Sequence, residues 1–384
     1  MESENKLSIG RIINYAGALI AFMIGSAYAT GQEVMQFFAA FGVWQCVGAF
    51  LLTLVLMTYL CSVIMEDGRK LQLKRPADLF KYYCGKQVGI AMEILTALYL
   101  YSLFVVMVSG SGTILEEHFG IPKMIGMVAM ACVALATVLL GLKRIVQILG
   151  KLGVVIIVLA LSVGVINTIL NFGALGEADA YLATVEPLKA SDYWWWSGIL
   201  YPAECCIFVV SFLAAMGITA KSKKEALISG GVGGALFSIG LLTSSLGMLV
   251  SIKEVFHLHA PTIGVADNII PGLGSFYSVI VIIGIYTTAV PLLWTPIMSI
   301  TTNEKSSTFR ILAVAGTILA LLAGQLNFKV LINIIIPLAG WAGLIVPISI
   351  IVKHLKIRIP GYNTRYDSKE DFEKAELPAP EAAQ

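Results

Sequence analysis

Long apolar stretches alternate along the chain with short polar segments rich in glycine, proline and charged residues. A helix needs about 20 residues to cross a bilayer, and ten stretches approach or exceed that length. The pattern therefore predicts an all-α polytopic membrane protein with ten transmembrane helices, called spans one to ten below. Their predicted limits are Ile12–Phe41, Val43–Met65, Val88–Leu115, Met124–Leu142, Leu152–Leu170, Tyr193–Thr219, Leu227–Val250, Ser275–Ile300, Ile311–Leu326 and Val330–Val352.

Composition agrees with a membrane protein and argues against an enzyme. Hydrophobic residues make up 58% of the chain and charged residues only 13%, whereas soluble domains carry about 25% charged residues. The sequence offers no phosphate loop, no metal motif and no convincing Ser/His/Asp set. The six cysteines match neither a zinc pattern nor a disulfide framework. We expect no enzymatic activity, no resident cofactor and no nucleic-acid partner.

The distribution of lysine and arginine predicts the orientation, because cytoplasmic loops carry an excess of these residues. With the N-terminus in the cytoplasm, all but four of the 26 Lys and Arg residues fall on inner segments. Both termini are then cytoplasmic. The predicted organisation is a five-helix repeat over 1–170, an external loop over 171–192, a second five-helix repeat over 193–352 and a cytoplasmic tail over 353–384.

A polar run interrupts span one in the middle of its crossing. From Gly25 to Glu33 it reads Gly-Ser-Ala-Tyr-Ala-Thr-Gly-Gln-Glu. Glycine costs a helix roughly 1 kcal/mol relative to alanine, and Gly25 and Gly31 both lie in the run. Small residues alone would fit a helix-packing patch. Because a carboxylate at membrane depth indicates function, Glu33 favours a broken helix that lines a binding site.

Span six carries a second candidate interruption. Pro202 removes a backbone donor and crowds the preceding turn, and Glu204 follows two residues later. The alternative is a simple proline kink with a snorkelling glutamate. Matched interruptions in two halves are the best sequence indication of a transporter site. With breaks in spans one and six, ten spans divide into two inverted repeats of five.

The run from Gly25 to Glu33, followed by Gln36, Phe37 and Phe38, resembles a signature of the YkvI-like bacterial membrane proteins. More distantly, the chain resembles the amino acid–polyamine–organocation superfamily and its LeuT-type sodium symporters. The resemblance implies a bacterial plasma membrane protein in which spans one, two, six and seven form a bundle against a scaffold of spans three, four, eight and nine. The solute would lie between spans one and six. The implied binding residues are Ser26, Ala27, Thr30, Gly31, Gln32, Glu33, Tyr101, Tyr201, Pro202, Ala203 and Glu204.

The same resemblance implies a sodium site between span one and span eight. Thr287 and Thr288 match a pair of hydroxyl ligands, and Gly284, Gly25 and Tyr28 match the carbonyl ligands. All five supply oxygen, which suits a hard cation. The alternative is that the two threonines hydrogen-bond to carbonyls within their own helix.

Glu33 and Glu204 depart from the pattern of the LeuT-type symporters, and two carboxylates near one cavity suggest an amine, a further cation or a proton-coupled step. We therefore expect a secondary transporter of a small amine-bearing solute, above all an amino acid, coupled to Na+ or H+ by alternating access. The alternatives are a solute-sensing receptor or scaffold with a transporter fold, and a channel. The expected partners are the solute and the lipid bilayer, while the oligomeric state stays open.

Overall fold

A computed structural model describes residues 8–258, 260–325 and 341–355, with the side chains of Ser26, Ala27 and Glu117 excepted. Throughout that part of the chain the regular elements are helices. The first eight are α1 (Ile9–Met23), α2 (Ser26–Thr30), α3 (Gln32–Phe37), α4 (Val43–Leu71), α5 (Leu79–Cys84), α6 (Lys86–Phe119), α7 (Lys123–Val138) and α8 (Leu142–Leu170). The others are α9 (Leu175–Leu182), α10 (Trp194–Ile218), α11 (Lys223–Leu249), α12 (Ile252–Val255), α13 (Pro261–Ile269), α14 (Leu273–Ile300), α15 (Ser307–Ala323) and α16 (Ile345–His354).

Six of these helices, α4, α6, α8, α10, α11 and α14, are long and apolar enough to cross a membrane. Three shorter apolar helices, α1, α7 and α15, coincide with the predicted spans one, four and nine. The end of the predicted span ten coincides with α16, while its part over 330–340 lies outside the described residues. An all-helical polytopic architecture is therefore established, and the count of ten spans and the inverted repeat stay predictions.

The helices pack in two sets of contacts. α10 and α11 both pack along α4, and α1 packs along α8 and against α11. α14 packs along α6 and α7, and α15 contacts α7. Small residues let backbones approach closely in membrane proteins: a Cβ placed on Gly217 of α10 would lie 2.1 Å from the Met65 carbonyl oxygen of α4.

All six cysteines are free. The outer connection between α11 and α14 contains α13, in which Thr262 and Ile263 are buried.

The predicted break in span six is wrong. α10 runs without interruption from Trp194 to Ile218, with Pro202 inside it. Proline cannot donate to the carbonyl four residues earlier, which here is that of Gly198. The Thr53 hydroxyl of α4 donates to that carbonyl instead, at 3.1 Å. Because a neighbouring helix satisfies the carbonyl, the helix continues through the proline, as membrane helices can.

Candidate solute-binding site

Span one is broken where the sequence predicted. α1 ends at Met23, α2 is a single short helix, and Gly31 joins it to α3. The Gly31 backbone has a φ of +89°, in the left-handed region where glycine is favoured. A Cβ at this position would also lie 3.2 Å from the Thr262 backbone nitrogen. The backbone conformation therefore favours glycine at the outer end of the break, and the tight contact with the backbone of Thr262 adds to this preference.

The inner end of the break borders a cavity of about 60 Å³ between α1, α3, α6, α10 and α14. Glu33 and Glu204 provide its two carboxylates. The remaining lining residues are Met23, Gly25, Tyr99, Leu103, Met107, Cys205, Phe208 and Thr288.

The two glutamates approach the cavity from different helices. The Tyr99 hydroxyl donates to Glu204 Oε1 at 3.1 Å. Glu204 Oε2 is buried and has no hydrogen-bond partner within the described part of the chain. The Glu33 and Glu204 carboxylates line the same cavity, so two negative charges there would repel each other. A buried carboxylate oxygen that lacks a donor is costly, and a cation in the cavity would satisfy it.

Tyr201 supports the site from behind the cavity lining. Its ring is fully buried, stacks on Phe237 and meets the edges of Phe37 and Phe38. Its hydroxyl approaches Glu33, yet it makes no hydrogen bond of normal geometry to a described residue. Tyr201 therefore holds α3 against α10 through packing and faces the carboxylate of Glu33.

Among the described side chains, the other predicted binding residues do not line the cavity. Ser26, Ala27 and Thr30 belong to α2, which begins next to Gly25. The Gln32 side-chain amide donates to the Leu258 carbonyl on the far side of the break. Pro202 and Ala203 are buried within α10, and Ala203 contacts Gly343. Of the predicted solute-binding residues, Glu33 and Glu204 thus line the cavity itself, together with Gly25 and Thr288 from the predicted sodium site.

The structure places Tyr99, and not Tyr101, in the cavity wall. Tyr101 is half-buried, and its hydroxyl donates to the Gly316 carbonyl of α15 at 2.8 Å. The sequence carried a signal for the correct face: Tyr99, Leu103 and Met107 are spaced by four residues, so they lie along one side of α6.

The residues predicted to bind sodium divide into two groups. Thr287 donates to the Ala21 and Gly284 carbonyls at 2.8 and 2.9 Å. Thr288 donates to the Phe22 carbonyl at 3.0 Å. The last four carbonyls of a helix lack helical partners, and these hydroxyls satisfy two of them at the end of α1.

The two span-one carbonyls that were predicted to bind sodium already accept backbone hydrogen bonds. The Gly25 carbonyl accepts from the backbone N–H of Ala29, and the Tyr28 carbonyl accepts from that of Gly31. Both are therefore engaged within the helical turn of α2. Within the described residues, no group of three or more His, Cys, Asp or Glu side chains could hold a metal ion.

Comparisons with known proteins agree with the fold and the suspected resemblance. No family model matches the chain. The uncharacterised membrane protein YkvI of Bacillus subtilis (strain 168) is 23% identical over 344 residues, covering 88% of this chain and 94% of that protein.

Two solved transporters share the fold at low sequence identity. A Na+-coupled sialic acid symporter, in a substrate-bound outward-open state, aligns with a TM-score of 0.64 and 11% identity over 89% of this chain and 79% of the symporter. Mhp1, a nucleobase-cation-symport-1 family transporter with bromovinylhydantoin bound, aligns with a TM-score of 0.61 and 14% identity, covering 92% and 81% of the two chains. Over nearly its whole length the chain resembles YkvI-like membrane proteins, and its fold is the one that LeuT-type transporters share.

Proposed function

We propose that this protein is a secondary transporter that moves a small amine-bearing solute across the bacterial plasma membrane by alternating access. The fold supports this proposal, because a sodium-coupled symporter and a cation-symport transporter share it. Their named ligands, a sialic acid and a hydantoin, differ in chemistry. The solute of this chain must therefore be argued from its own cavity.

The observation that carries the proposal is the pair of carboxylates in one cavity. Glu33 comes from the interrupted span and Glu204 from the helix that faces it. No Lys, Arg or His is found among the described residues that line the cavity. Two carboxylates at membrane depth without a protein cation are expensive, and a positively charged solute offsets that cost. An ammonium group fits because it can donate to both glutamates.

Sodium coupling remains part of the proposal, with the carbonyl ligands shifted by one helical turn. The hydroxyls of Thr287 and Thr288 lie against the end of α1, at the Ala21 and Phe22 carbonyls. A Cβ built on Gly284 would lie 3.2 Å from the Ile24 carbonyl oxygen, so that oxygen also faces α14. We assign the span-one ligands to the carbonyls of Ala21 and Ile24 in place of Gly25 and Tyr28.

Proton coupling is the alternative drive, and the paired glutamates support it. Two nearby carboxylates can share a proton, because ionising both in one site is unfavourable. Uptake of a cationic solute could then be linked to the protonation of Glu33 or Glu204. Sodium and proton coupling predict different dependences on the imposed gradient.

The test is solute-induced current in proteoliposomes on a solid-supported membrane, with a panel of amines and amino acids as solutes. Each solute is applied under an inward sodium gradient, under a proton gradient, and with potassium replacing sodium. We expect saturable current for at least one amine, dependent on one of the two gradients. Binding without current would favour a solute-sensing receptor, and current that does not saturate would favour a channel.

A further inference from the structure

We infer that the solute is a small organic cation, an amine that carries no carboxylate, and not a zwitterionic amino acid. The inference rests on the proposed transport function and narrows its substrate class. It follows from the sign of the charges in the cavity, from the absence of donors opposite them among the described residues and from the position of the apolar wall.

The cavity has room for a small solute in this conformation. Its volume is about 60 Å³, and a single water needs only about 10–15 Å³. A short alkylamine or diamine therefore fits in the site.

The charges in the cavity disfavour a carboxylate. Glu33 and Glu204 already place two acidic groups in its lining. A third carboxylate would add a like charge and be repelled by them. A zwitterion would need donors opposite the glutamates. The described lining residues include no Lys, Arg or His, and α10 offers no free helix N-terminus there because it continues through Pro202.

The rest of the cavity wall is apolar and suits the hydrocarbon part of an organic cation. Met23, Leu103, Met107 and Phe208 line it. One face of the Phe208 ring stacks on Phe22, with ring centroids 4.2 Å apart. Aromatic faces attract organic cations, and thioethers adapt to irregular apolar groups. This wall would bind an alkyl chain while the ammonium group meets the glutamates.

One glutamate is already oriented to receive the ammonium group. Tyr99 binds Glu204 Oε1, which fixes the carboxylate and leaves the buried Oε2 without a donor. The ammonium group supplies three donors. One donor would satisfy Oε2 and another would reach Glu33, so a single ammonium group would hydrogen-bond to both carboxylates.

The decisive experiment compares matched probes on the wild-type protein in detergent, with affinity measured by thermal-shift titration. Propylamine tests a simple cation, and propan-1-ol is its uncharged control. Alaninamide and alanine have the same number of non-hydrogen atoms, but only alanine carries a carboxylate. We expect propylamine to bind and propan-1-ol not to bind. We also expect alaninamide to bind at least tenfold more tightly than alanine, about 1.4 kcal/mol.

The outcomes separate this inference from the proposed function. Alanine binding as tightly as alaninamide would overturn the inference and leave an amine-transporting function intact. Tight binding of propan-1-ol would also overturn it, because charge would then be irrelevant. If none of the amines or amino acids binds or produces current, the proposed function itself fails.

Discussion

The Thr53 hydroxyl on α4 donates a hydrogen bond to the Gly198 carbonyl on α10, at 3.1 Å. Pro202 leaves this carbonyl without its helical donor, because the proline nitrogen carries no hydrogen. Thr53 is fully buried, so no water replaces the bond if the hydroxyl is removed. This contact keeps α10 helical next to Glu204 and fixes α10 against α4.

The first prediction concerns this contact. Thr53→Val keeps the shape of the side chain but removes the donor, leaving a buried carbonyl unsatisfied. We expect the free energy of unfolding to fall by about 1–3 kcal/mol, measured by denaturation in detergent. In a Pro202→Ala background a backbone N–H is available again, so the same substitution should cost much less. Equal losses in both backgrounds would show that Thr53 stabilises the protein in another way.

Thr168→Val is the matched control. Its hydroxyl donates to the Gly164 carbonyl within α8 at 2.6 Å. That carbonyl keeps its normal helical donor, the backbone N–H of residue 168, when the hydroxyl is lost. We therefore expect little destabilisation from the control. A loss as large as that of Thr53→Val would contradict the role assigned to the proline.

The second prediction concerns the paired carboxylates. Glu33→Gln and Glu204→Gln retain size and hydrogen bonding but remove charge. We expect at least one of them to weaken amine binding tenfold or more, about 1.4 kcal/mol, and to flatten the pH dependence of uptake. The measurement is a binding titration together with uptake at several pH values.

Glu177→Gln is the control for charge removal. Glu177 lies on α9, in the predicted external loop, and pairs with Lys253 at 2.6 Å. A hydrogen bond from Lys253, together with its positive charge, lowers the pKa of the Glu177 carboxyl, so the control also removes an ionised group. We expect it to leave affinity and pH profile unchanged. If Glu33→Gln and Glu204→Gln also left the amine affinity and the pH profile unchanged, Glu33 and Glu204 would have only a structural role.

The third prediction tests sodium binding through the two threonines of α14. In a Thr287→Val, Thr288→Val double variant, the hydroxyl ligands are lost, so we expect sodium to stop raising the melting temperature. Comparing sodium with potassium separates this effect from any general destabilisation. The Thr287→Ser, Thr288→Ser variant keeps both hydroxyls and should retain the response. A normal sodium response in the valine variant, or none in the wild type, would overturn the assignment.

Much of the fold was predictable because the hydropathy of a local stretch of sequence is enough to identify a membrane helix. The broken span one was also predictable, since Gly25 and Gly31 lie within the polar run itself. Helix limits were less accurate: α8 begins at Leu142, ten residues before the predicted Leu152. The sequence there contains Lys143 and Arg144. Both residue types have high helix propensity, but they are not apolar, so the hydrophobic pattern excludes them from the span.

The site was only partly predictable because its geometry depends on contacts between distant parts of the chain. The proline in span six indicated a break, but the donor that prevents it is 145 residues away. The glutamates stood out because charges are rare at membrane depth. Met107 and Phe208 did not stand out. An apolar residue on a membrane helix gives the same local sequence pattern whether it faces lipid, protein or a cavity.

The fourth prediction distinguishes two tyrosines that are two residues apart on α6. Tyr99 donates to Glu204 Oε1 in the cavity, and Tyr101 donates to the Gly316 carbonyl outside it. Each Tyr→Phe variant loses one hydroxyl and one hydrogen bond while keeping its ring. Tyr99→Phe frees the Glu204 carboxylate to rotate and leaves it less compensated, so we expect amine affinity to change severalfold and the pH dependence of uptake to shift. Tyr101→Phe should leave amine affinity unchanged and lower the free energy of unfolding by about 0.5–1.5 kcal/mol. If Tyr101→Phe changed affinity and Tyr99→Phe did not, α6 would present its other face to the solute, and the proposed site would have to be rebuilt around Tyr101.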